Sequence, residues 1–148
     1  MSQFSFEPFR GGDGVTEYVA RYRRADLPPF EVGAPLDLYP SRPPAAGFTS
    51  QLTWEHPWPF SNRAGVYLLY DEALELFYIG KASMNRCLGQ RLYEYFGGGA
   101  SCVPKLEWLQ PARYVINIAM PSEFPFEAPA LEEFLIRKLQ PRVNGTGK

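Results

Sequence analysis

The stretch that decides the reading is LFYIGKASMNRCLGQRLYEYF, Leu76 to Phe96. It opens with the aromatic and β-branched residues of a strand, and Gly80 then predicts a tight turn that brings backbone close to a ligand, after which the chain resumes as a helix. In that helix Tyr95 follows Arg91 at the four-residue interval that places both on one face. Taken singly, Tyr78, Lys81, Arg91 and Tyr95 fit a tyrosine-rich rim of a core with its cations in solvent. Packing alone, however, has no use for their polar ends around one glycine.

Working outward, AGVYLLY and LELFYIG are two short apolar and aromatic runs separated by DEA, the pattern of an antiparallel β-hairpin in which Tyr67 and Tyr78 approach across the strands. Leu88, Leu92, Tyr95 and Phe96 recur at helical spacing until Gly97 to Gly99 stop the helix. ARYVINIAM predicts a third strand, and APALEEFLIRKLQP a last helix with a core-facing stripe of Leu131, Phe134, Leu135 and Leu139, bounded by Pro129 and Pro141. The order strand, strand, helix, strand, helix defines a small α+β domain. On that last helix Glu133 reads as solvated surface. Glu132 lies nearer the apolar face, where a carboxylate is either solvated or held by a cation.

The first sixty residues differ in character. They hold nine of the fifteen prolines, which leaves little room for regular structure except at Asp13 to Arg24. There Val15, Tyr18, Val19 and Tyr22 share a helical face, with Arg21, Arg23 and Arg24 crowding the end that favours cations. The prediction is a helix and an extended arm, Pro28 to Phe60, docked on the main domain. Residues 1–60 form this extension and residues 61–148 the domain proper.

A chain of 148 residues suits one domain of ordinary size. Cys87 and Cys102 have no partner histidine nearby, which argues against a disulfide framework or a zinc site. The lone His56, in WEHPW, reads as a packing or hydrogen-bonding residue. No apolar run is long enough to span a membrane and MSQFSFEPFR lacks the features of a secretory signal, so the expectation is a soluble, cytoplasmic protein. The net charge of −1 gives no global attraction to a polyanion. Residues 61–148 are only weakly basic, with ten Lys or Arg against nine Asp or Glu.

GVY at Gly65 to Tyr67, YIG at Tyr78 to Gly80, YIGKAS followed by RLYEYF, and finally LEEFLIRKLQPRVN together resemble the GIY-YIG nuclease family, closest to its excision-repair branch. The resemblance covers about residues 63–144, with the signature elements in the family's order. It implies a small antiparallel three-stranded sheet flanked by helices, and cleavage of DNA phosphodiester bonds with Mg²⁺ or Mn²⁺. Aligned on LIRKLQPRVN, the metal-binding glutamate falls at Glu132 and the terminal asparagine at Asn144. The loop SMNRCLGQ is slightly longer than in the repair enzymes, which leaves Arg86 as a rival to Arg91 for the catalytic arginine.

Under this resemblance Tyr67 is the favoured general base, with Tyr78 its rival or a phosphate ligand. Tyr95 orients that group, Lys81 and Arg91 favour the phenolate, and Arg91 clamps the scissile phosphate. One carboxylate, Glu132, implies one metal. Gly80, Arg86, Asn144 and the helical Arg21, Arg23 and Arg24 are candidate nucleic-acid contacts, with bracing of the chain end the other role open to Asn144. Cutting both strands would call for a homodimer, whereas nicking needs one copy. The alternatives on the same fold are a catalytically silent nucleic-acid-binding module and a protein-interaction domain.

Overall fold

Alternation in GVYLLY sets the centre of the fold: Val66, Leu68 and Tyr70 enter one buried cluster, and Tyr67 and Leu69 enter the other. The computed structural model describes residues 4–144. In chain order its elements are α1 (Gly12–Tyr22), β1 (Glu31–Val32), β2 (Leu36–Asp37), β3 (Leu52–Thr53), β4 (Gly65–Tyr70), β5 (Leu76–Ala82), α2 (Leu88–Phe96), β6 (Tyr114–Ala119) and α3 (Ala128–Leu139). Single 3₁₀ turns precede β6 and α3, at Glu107–Leu109 and Pro125–Glu127.

The expected α+β class holds, with β4, β5 and β6 as an antiparallel sheet in which β4 is central. α1 and α3 cover one face, where Val15, Tyr18, Leu131 and Leu135 pack on Leu68, Ile79 and Ile116. α2 covers the other through Leu88, Leu92, Tyr95 and Phe96. Every residue of β4 and β6 is buried, as expected of strands sandwiched between two covering layers.

The arm differs from its expected form. Instead of only lying against the domain, it supplies strands: β1 and β2 pair in succession with β6, and β3 pairs with β2 in parallel, which makes the sheet mixed. The reason is the open edge of β6, whose backbone groups need partners once covered. Between the two short strands Gly33 N–H still reaches the Asn117 carbonyl at 2.8 Å, and Leu38 N–H reaches Arg113 at 2.8 Å. The prolines limit each strand to two residues without preventing the pairing. A buried ion pair fastens the arm: the Arg113 guanidinium donates to both Asp37 oxygens at 2.7 and 2.8 Å, to Glu72 and to the Arg42 carbonyl.

Among the described residues no helix is long and apolar enough to cross a membrane. The ends of the two predicted segments, 1–3 and 145–148, lie outside the described residues.

Candidate active site

Tyr67 is fully buried in the middle of the central strand, and its register partner across β5 is Gly80. Residues directly opposite in an antiparallel pair share a face, so the tyrosine ring lies over the glycine. A Cβ at position 80 would stand 2.3 Å from the Tyr67 hydroxyl. This corrects the turn predicted at Gly80: β5 runs on to Ala82, and the glycine is required because the phenol occupies the space of a side chain. Gly80 is thereby covered by Tyr67 on the face where it was expected to meet a ligand.

From α2, Tyr95 completes the aromatic group, accepting a 2.8 Å hydrogen bond from the Tyr67 hydroxyl. Tyr78, half-buried, lies beside both, its ring centroid 6.2 Å from that of Tyr67. Arg91 sits one turn before Tyr95, with its guanidinium carbon 5.6 Å from the Tyr95 ring centroid. Burial pushes the Tyr67 phenol well above its ordinary value, Tyr95 and Tyr78 push the same way, and the Arg91 cation pulls it down. Tyr78 is likewise raised, chiefly by burial. Arg91 Nε is buried with no hydrogen-bond partner among the described residues, a donor left unspent.

Glu132 arrives from the opposite layer. β5 ends the main strand order of the sheet, so side chains from α2 and α3 can meet around it. The half-buried Glu132 carboxyl is raised by burial, lowered by Lys81 and Arg91, and raised again by Glu133, which is exposed. Glu132 makes no hydrogen bond or ion pair among the described residues. A half-buried carboxylate with both oxygens free suits a hard divalent cation that keeps most of its water. No cluster of three or more His, Cys, Asp or Glu that could hold a metal occurs among the described residues.

The structure thus brings Tyr67, Tyr78, Lys81, Arg91, Tyr95 and Glu132 together over Gly80, whereas Arg21, Arg23, Arg24, Arg86 and Asn144 are engaged with other partners. Arg86 is exposed and paired with Glu94, which also lies 3.6 Å from Arg91. Asn144 accepts from the Ile79 N–H at 2.7 Å and donates to the Ile79 carbonyl at 3.0 Å, so its side chain braces β5. Arg23 is no surface cation: its side chain is 4% exposed and donates twice to Glu127, stapling α1 to the start of α3. Arg21 and Arg24 are exposed, pair with Glu17 and Asp26, and lie on the α1 side away from α2.

Trp108 was missed from the sequence. Its ring packs 4.5 Å from Tyr78 and 5.5 Å from Tyr95, centroid to centroid, walling the site from the 3₁₀ turn before β6. The only sequence signal was an aromatic in the loop LEWLQP, which has no periodicity to place it. A groove of about 870 Å³ on another flank of α2, between Trp54, Trp58 and Tyr93, contains none of the predicted site residues.

With this geometry in place, comparison with known proteins gives a consistent result. The family model of the UvrC-like GIY-YIG domain matches residues 63–145, more than half of the chain. The chain belongs to this family. Among its relatives is the UvrABC system protein C of Nitratidesulfovibrio vulgaris, 38% identical over 81 residues, which are 54% of this chain and 11% of that protein. The chain therefore spans about a tenth of the length of this curated relative.

Proposed function

We propose that the protein is a metal-dependent DNA endonuclease that hydrolyses phosphodiester bonds. The observation that carries this reading is the meeting of two tyrosine phenols, an arginine with an unspent donor and an unpaired carboxylate around one edge strand, in a chain of the UvrC-like GIY-YIG family.

In this reading the scissile phosphate lies between α2 and Glu132. Arg91 donates to its non-bridging oxygens and stabilises the charge that grows as water attacks phosphorus. Tyr67 in its phenolate form takes the proton of that water, and Tyr95, hydrogen-bonded to the Tyr67 oxygen, fixes its orientation. Lys81 offsets negative charge beside Glu132 and Tyr78 lines the approach. A Mg²⁺ or Mn²⁺ held by Glu132 would neutralise phosphate-oxygen charge as a Lewis acid. Burial keeps both phenols protonated near neutral pH, and the Arg91 guanidinium pulls Tyr67 toward the phenolate without offsetting that burial.

The test is nicking or linearisation of supercoiled plasmid with Mg²⁺ or Mn²⁺, beside EDTA and a Glu132→Ala control. Metal-dependent cleavage lost in the variant supports the reading. DNA binding without cleavage would leave a silent binding module, and no binding at all a protein-interaction domain. Appearance of nicked before linear product would indicate that the strands are cut one at a time.

A further inference from the structure

Next to the candidate active site is a second concavity that the reaction itself does not use. It is a groove of about 680 Å³ between the loop after β5 and the segment leading into α3. Two of the most exposed apolar side chains in the described structure line it: Met84 is 85% exposed and Phe126 71%. Met84 and Asn85 both take the left-handed backbone conformation, φ 58° and 72°, which is unfavourable for non-glycine residues and holds the thioether out at the loop tip.

The polar side of the groove is distinctive as well. Ser83 is 6% exposed, lines the groove, and its hydroxyl has no hydrogen-bond partner among the described residues. Arg63 and Arg86 also line it and no Asp or Glu does, although Arg63 is paired with Glu31 at 2.7 Å from outside the groove and donates to the Met120 carbonyl. Arg86 holds its carboxylate partner Glu94 at the surface, where a phosphate could take that place. The groove joins the candidate active site at two points: Ser83 is two residues beyond Lys81, and Pro129, on its rim, is one helical turn before Glu132.

We propose that this groove binds one unstacked nucleotide of the DNA strand being cut, with the base against Met84 and Phe126 and its phosphate toward Ser83 Oγ–H and Arg86. Apolar and aromatic side chains accept any base by its π-face, and a protruding methionine can wedge open a base step. The volume is in the range of pockets that take molecules of nucleotide size. The inference rests on the endonuclease reading and adds a substrate class to it: duplex DNA with an unpaired or easily unstacked nucleotide beside the cleavage point.

The experiment measures affinity in EDTA for two duplexes carrying 2-aminopurine, one fully paired and one with the analogue as a single-nucleotide bulge. The expected result is about tenfold tighter binding of the bulged duplex, a changed 2-aminopurine emission on binding, and loss of the preference in Met84→Ser/Phe126→Ser. Both side chains are exposed, so the double variant should fold, as an unchanged melting curve would show. Equal affinity for the two duplexes, or a preference that survives the double substitution, overturns the proposal. The two readings separate cleanly: bulge preference without metal-dependent cleavage retains the groove and rejects the nuclease, and cleavage without preference does the reverse.

Discussion

Glu132 carries a cost in the metal-free fold, because burial raises its carboxyl above the ordinary range although Lys81 and Arg91 pull it down. Between the unfolded value and the raised folded one, the folded chain binds more protons, so stability falls as pH rises through that window. Glu132→Gln is therefore expected to melt higher than the parent in EDTA at about pH 8, with the gap closing toward about pH 4. If Glu132 holds the metal, Mg²⁺ should raise the melting temperature of the parent and leave the variant unchanged. At Tyr67 the sign is different. A base whose phenol is raised by burial gains its active, deprotonated fraction as pH increases, so the cleavage rate should climb from about pH 6 to 9 without a plateau. Tyr67→Phe should lower the rate by roughly 10²-fold or more and flatten that profile. Tyr78→Phe should retain the slope, and the reverse pattern would assign the base to Tyr78.

At the scale of elements, the site depends on how firmly β5 is held. The strand lies at the end of the main sheet order, and residues 143 and 144 close on its outer side: Val143 N–H bonds the Phe77 carbonyl at 2.9 Å, and Asn144 brackets Ile79 between Tyr78 and Gly80. Asn144→Ala removes two part-buried hydrogen bonds and should cost about 1–3 kcal/mol. Its signature is faster hydrogen exchange at the Ile79 amide than at the amides of β4. From the sequence Asn144 reads as a brace of the chain end or a phosphate ligand, and no local pattern chooses between them, because an asparagine after a helix can serve as either. The hairpin and β6 were legible as short apolar, aromatic and β-branched runs, and α2 and α3 through their period near 3.6 residues. Gly80 was misread for a definite reason: a glycine needed for cross-strand space looks identical in sequence to one needed for a turn.

Over the whole molecule, the arm and the strands that carry the candidate site share one sheet. Arg113 is the joint, with its guanidinium 1% exposed and its charge met by Asp37 from the arm and Glu72 from the hairpin. Asp37→Ala leaves that buried cation short of its main partner and should destabilise by on the order of 3 kcal/mol, checked by denaturant titration. The same logic predicts that a chain beginning at residue 61 exposes the edge of β6 and aggregates or unfolds, which light scattering and circular dichroism would reveal. By itself the sequence determined the α+β class, the hairpin, the order of the core elements and the residue types of the candidate site, since periodicity and signature spacing are local properties. Tertiary structure alone decided that the proline-rich arm would complete the sheet, that Arg23 would be buried against Glu127, and that Trp108 would wall the tyrosines. It also decided that Glu132 would reach the Lys81 and Arg91 charges around the edge of β5. Each of these rests on contacts between segments far apart in the chain, set by unpaired backbone edges and buried charges seeking partners, and no local pattern records them.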